Sequence, residues 1–126
     1  MKRRTLLLAA SATLVLTACG TNPVKPMSSN GGLSRGQLKK IILTALAERG
    51  WQVTDEASDH IDARYVKGPH VAAVQIMLNA KNYTIEMNEG ATTLKEGNGK
   101  VHRKYNQWVQ TLDADIQNLI LKSRLK

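Results

Sequence analysis

A single cysteine, Cys19, and not one phenylalanine occur in the 126 residues. A lone cysteine excludes an intrachain disulfide, so burial and hydrogen bonding alone must hold the fold. Without Phe, the large rings are Trp51, Trp108 and three tyrosines, and the core falls to Leu, Ile, Val and Ala. No apolar run reaches the ~20 residues of a spanning helix. The longest, Leu6 to Leu16, is broken by Ser11 and Thr13. A nucleophile elbow, a phosphate-binding glycine loop and zinc-ligand spacing are all missing. Asp113 and Asp115 share a predicted helix, but two residues apart they point ~200° away from each other. The expectation is a protein that is not an enzyme, with no catalytic residues, no cofactor and no metal.

Acidic residues are also few, 10 against 18 Lys and Arg, for a net charge of +8. Three of the cations, Lys2, Arg3 and Arg4, stand at the very start. The rest are spread along the chain and form no basic tract, so no nucleic-acid partner is expected.

The first twenty residues, MKRRTLLLAASATLVLTACG, have a charged start, a short apolar stretch and small residues before the cysteine. That pattern is a secretory leader. Leu16-Thr17-Ala18-Cys19 resembles the lipobox of bacterial lipoproteins. The resemblance implies a diacylglycerol on the Cys19 sulfur, cleavage after residue 18 and acylation of the new amino group. Several chains together give stable membrane anchoring, since each buried CH₂ adds roughly 0.8 kcal/mol. Gly20 in place of Asp implies the periplasmic face of the outer membrane.

Residues 20–33, GTNPVKPMSSNGGL, hold two prolines and three glycines and show no periodicity. They are expected to form a flexible tether that reaches ~40 Å from the bilayer. The division is then a signal peptide over 1–18, lipidated cysteine and tether over 19–33, and one domain over 34–126.

Within that domain, Ser34-Arg35-Gly36-Gln37 is a capping box. Leu38, Ile41, Ile42, Ala45 and Leu46 follow as one helical stripe, and Gly50 ends it. Trp51 and Val53 begin a series of alternating strands. A two-residue loop at Ala80-Lys81 sets Leu78 opposite Tyr83, Ile76 opposite Ile85 and Val74 opposite Met87. A loop at Gly68-Pro69 sets Tyr65 opposite Ala72, Ala63 opposite Val74 and Ile61 opposite Ile76. Both put every apolar side chain on one face, which a one-residue slip would destroy. A short further strand is expected at Thr92–Lys95. A final helix is predicted from Lys100, capped by Asn98 or Gly99, with Val101, Tyr105, Trp108, Val109, Leu112, Ile116, Leu119 and Ile120 on one arc. The predicted fold class is α+β: helix, antiparallel meander of three to five strands, C-terminal helix, both helices on one sheet face.

Gly50-Trp51-x-Val53, Ile61-x-Ala63, Tyr83-x-Ile85 and His102-x-x-Tyr105-Asn106-x-Trp108-Val109-x-x-Leu112 together resemble a group of small proteobacterial lipoproteins of unassigned function. These are mainly packing residues, and the resemblance implies no activity.

Tyr105 and Trp108 lie inside the apolar arc and are expected in the core. His102 and Asn106 lie at its edge and are expected to satisfy backbone groups of the adjoining loop. His60 and His70 flank turns and are expected to be solvated. Lys100, Arg103 and Lys104 stand where a helix dipole favours anions, which makes them the candidate anion-binding residues. Two functional readings follow. The first is a membrane-tethered, non-catalytic interaction module of the cell envelope with a protein partner. The second is a binder of anionic lipid or polymer through the basic helix start. An envelope hydrolase is a distant third.

Overall fold

A computed structural model describes residues 21–96 and 99–125; the expected leader and Cys19 lie outside them. Chain order is β1 (Met27–Ser29), α1 (Arg35–Arg49), β2 (Gln52–Glu56), β3 (His60–Lys67), β4 (His70–Leu78), β5 (Asn82–Met87) and α2 (Arg103–Arg124). The strands form one antiparallel sheet in the order β1-β5-β4-β3-β2. The fold is α+β, as expected. Four consecutive strands make the meander, and β1 is added beside β5 as a further edge.

Alternation of apolar residues selects the register. Tyr65 pairs with Ala72, Ala63 with Val74 and Ile61 with Ile76. Leu78 pairs with Tyr83, Ile76 with Ile85 and Val74 with Met87. Each pairing follows from the two expected turns. The resulting apolar face is covered by both helices. Leu38, Ile42, Ala45 and Leu46 of α1 share one buried cluster with Tyr105, Val109, Leu112, Ile116 and Ile120 of α2.

The limits of α1 are chemical. Ser34 accepts from the Gln37 N–H while the Gln37 side chain accepts from the Ser34 N–H, closing the capping box. Gly50 adopts φ 91°. Its N–H donates to Ala47 and the Trp51 N–H to Leu46, at 3.2 and 2.8 Å. This paired arrangement needs a left-handed residue and brings Trp51 down onto the last turn. Trp51 is therefore buried just outside β2, not within it. Val53 lies opposite Ala63, yet it is 39% exposed, because β2 is an edge strand.

Three expectations need correction. Residues 21–33 are not a free tether. β1 pairs with β5 through Met27 to Ser29, and the Ile85 N–H donates to Pro26. Asn30 is buried, and its amide donates to the carbonyls of Asn79 and Ala80, closing the β4–β5 turn. Ser28 donates to Asp113, which also accepts from the Tyr83 hydroxyl at 2.6 Å, so β1, β5 and α2 meet on one carboxylate. Burial, then the hydrogen bond to Asp113, pushes the Tyr83 hydroxyl's pKa well up, so it stays a donor.

Thr92–Lys95 is not a strand. β5 ends at Met87, and beyond it Thr92 and Thr93 use side chains as well as backbone to satisfy Val71 and Ala73 of β4. Finally, α2 starts at Arg103 rather than Lys100, and its N-cap is His102, not Asn98 or Gly99. Val101 bridges both Thr21 and Lys95 and is thereby held extended. A residue so paired cannot open a helix.

Gly31 and Gly32 separate the strapped segment from the tether first expected. A Cβ on Gly31 would stand 2.6 Å from Ile120 Cγ2, and its φ is 65°. Gly32 also has positive φ but open space around it. Gly31→Ala should cost about 2–4 kcal/mol, from left-handed strain plus overpacking. Gly32→Ala should cost only about 1–2 kcal/mol. Chemical denaturation of both variants checks this; equal, negligible effects would return the segment to a free tether.

Candidate functional site

The expected basic site is only partly assembled. Lys100 precedes α2 by three residues and is half-buried, its Nζ donating to Asn22 Oδ1 at 2.9 Å. Arg103 and Lys104 open the helix and are exposed. One of the first-turn N–H groups that an anion would use is taken, since His102 Nδ1 accepts from the Lys104 N–H at 3.1 Å. His102 satisfies a backbone group, as expected of it. Asn106 does the same across 82 residues or more. Its Oδ1 accepts from Val24, and its Nδ2 donates to Asn22 and to Thr21. Thr21 and Val101 exchange both backbone bonds, at 3.0 and 2.8 Å.

What results is a basic end rather than an anion pocket. His70 and His102 lie with ring centroids 5.9 Å apart, which puts the β3–β4 turn and its exposed Lys67 beside the start of α2. Lys95 joins through its bridge to Val101. Glu96 is the one acidic residue between Glu89 and Asp113.

Trp108 is half-buried, not in the core interior where the arc placed it. At the arc's margin it packs edge-on to Tyr65, centroids 4.9 Å apart, and Tyr65 in turn packs on Trp51 at 5.5 Å. These rings, with Arg49 and Thr111, border a cavity of about 200 Å³. That is smaller than the usual ligand pocket. Arg49 is committed to both oxygens of Asp115, at 2.8 and 3.0 Å. Asp113 and Asp115 thus diverge to separate partners, as their spacing requires. Val101 and Tyr105 are fully buried.

At the other end of the sheet, His60 is not a solvated turn residue. Its Nδ1 lies 3.0 Å from Asp59 Oδ1 and its Nε2 3.1 Å from Asp55 Oδ2. A bulge between Val53 and Asp55 brings Asp55 opposite Asp62. Asp55, His60 and Asp62 each offer a ligand atom, all within 4.8 Å of one another. Asp62 Oδ1 is buried without a hydrogen-bond partner. The sequence reading missed this cluster because a bulge shifts register without marking the sequence. The spacing of His60 and Asp62, two apart on one strand, was the available signal.

Hydrogen bonds donated to Asp55 and then to Asp59 hold the imidazolium of His60, raising its pKa above the ordinary 6.5. Its stabilising effect is therefore complete below pH 6.5 and is lost as pH rises through the raised value. The matching bond lowers Asp59 below 3.8, so that effect is lost as pH falls through the lowered value. NMR titration should place His60 above 6.5 and Asp55→Asn should bring it down. A wild-type value at or below 6.5 would contradict the pairing.

No protein-family model matches the sequence, and comparison with curated proteins finds no significant match, so the functional reading rests on this chain's own residues.

Proposed function

We propose that the protein is a lipid-anchored, non-catalytic interaction module of the cell envelope that rests its basic end on an anionic membrane surface. The observation that carries this reading is the reciprocal bonding of Thr21 with Val101. Cys19 precedes Thr21 by two residues, a reach of at most ~7 Å. With lipid on Cys19, the start of α2 is held at the headgroups instead of ~40 Å away. Lys95, Lys100, Arg103 and Lys104 are then the cations carried nearest the bilayer, where attraction is least screened. Each cation that near an anionic surface contributes about 1 kcal/mol.

This geometry favours the anionic-surface reading over a body swinging free on a long tether. A protein partner would meet the far end of the sheet. Gly20 supports the periplasmic face of the outer membrane. Among the described residues no helix is long and apolar enough to cross a membrane.

Two measurements test the reading. Cys19→Ala should abolish incorporation of a fatty-acid analogue, since no other thiol exists; persistent labelling would remove the anchor. The unlipidated stretch 20–126 should bind anionic vesicles at low salt and lose that binding as salt rises. Replacing Lys100, Arg103 and Lys104 with Gln should weaken binding roughly a hundredfold, about 1 kcal/mol for each cation. Neutral vesicles should show no difference. If wild-type 20–126 ignores anionic vesicles at low salt, the basic end is only a solvated surface.

A further inference from the structure

The cluster at the start of β3 is unexplained by anchoring. His60 and Asp62 alternate with buried Ile61 and Ala63, so they stand on the sheet face away from the helices. Asp55 approaches from β2 through the bulge. Four carboxylates, Asp55, Glu56, Asp59 and Asp62, lie within eight residues. Among the described residues only Glu56 has a lysine partner, Lys39 at 3.1 Å. The nearby Arg64 directs its Nε to Gln52, 3.0 Å away, not to Asp62.

We propose that Asp55, His60 and Asp62 bind a divalent first-row transition metal, with zinc the ion their donors suit best. Two features point to a cation. The first is the mixed donor set, one imidazole nitrogen and two carboxylates with ligand atoms no more than 4.8 Å apart. Tetrahedral zinc needs donors about 3.4 Å apart, given bonds near 2.1 Å. The Asp55–His60 pair stands at 3.1 Å already, and the Asp55 side chain is 65% exposed and free to adjust. The second feature is the Asp62 Oδ1 atom, buried with no donor to satisfy it. A carboxylate oxygen withdrawn from water calls for a donor or a cation, and an ion among these three groups supplies the charge.

Asp59 completes the arrangement from outside. Asp59 lies against Nδ1 and Asp55 against Nε2, so an ion that takes the place of the Nε2 proton leaves the Nδ1–H donated to Asp59. A carboxylate holding the far nitrogen is the usual support of a metal-bound histidine. Calcium and magnesium favour all-oxygen shells of six or more ligands, which one imidazole and two carboxylates do not offer. Three protein ligands leave a fourth zinc position to water.

The test is calorimetric titration of zinc into the full chain in detergent. One ion should bind per chain, with calcium and magnesium failing to compete. His60→Asn and Asp62→Asn should each weaken binding at least about tenfold, and Asp59→Asn roughly tenfold through loss of orientation. His70→Asn, at the other end beside His102, should leave affinity unchanged. Because Asp62→Asn alters a buried group, NMR of the wild type provides a second readout: zinc should shift the His60 ring signals and spare those of His70 and His102. No binding at about 100 μM zinc overturns the proposal. So does binding that survives His60→Asn, or zinc shifts confined to the other two histidines.

Discussion

The start of the N-terminal strap is fastened by one side chain, the amide of Asn106. Its oxygen and nitrogen are spent on Val24, Asn22 and Thr21. With those bonds in place, Thr21 and Val101 pair, Val101 stays extended, and α2 begins at Arg103 under a histidine cap. The strap then runs past β5, donates from Ser28 to Asp113 and ends on buried Asn30. A chain without disulfides holds its first strand by such polar contacts, because β1 has only three residues and little apolar surface to bury.

On the proposed lipid anchor, the same strap sets how the molecule would face a membrane. A long tether would average the domain over all orientations and make its surface charges equivalent. A pinned segment makes one end special. Lys67, Lys95, Lys100, Arg103 and Lys104, separate in the sequence, are gathered at that end by the β3–β4 turn, the Lys95 bridge and the start of α2. The carboxylate cluster around His60 lies at the opposite end, beside the β4–β5 turn, since His60 pairs with Met77 and Leu78 with Tyr83.

How much of this was legible in the sequence divides along physical lines. The register of β3, β4 and β5 was readable, because a buried face penalises any slip for every residue at once. The capping box and Gly50 marked α1 for the same reason: the signal is local. The strap was not legible. Its prolines, glycines and serines have the composition of a linker, and what holds them are side chains more than 80 residues away. Gly31 reads as flexibility and serves close packing on Ile120. The start of α2 was misplaced because Val101 fits the helical arc equally well as an extended, buried residue. Lys100, Arg103 and Lys104 were visible in the sequence as a basic run, but the surface they form depends on the strap. The His60 cluster depends on a bulge that alternation cannot reveal.

The central claim is that the lipidated protein holds the start of α2 at the bilayer surface. Acylation blocks the only native thiol, so a cysteine introduced on the mature lipoprotein takes a spin label uniquely. Labels at Lys104→Cys and Ala80→Cys, read for distance to the phosphate layer, measure the orientation directly. β4 has nine residues and so spans about 27 Å, which sets the expected separation. The account predicts a Lys104→Cys label within about 10 Å of the phosphates and an Ala80→Cys label at least about 20 Å farther out. Equal, broad distance distributions at the two positions would contradict it.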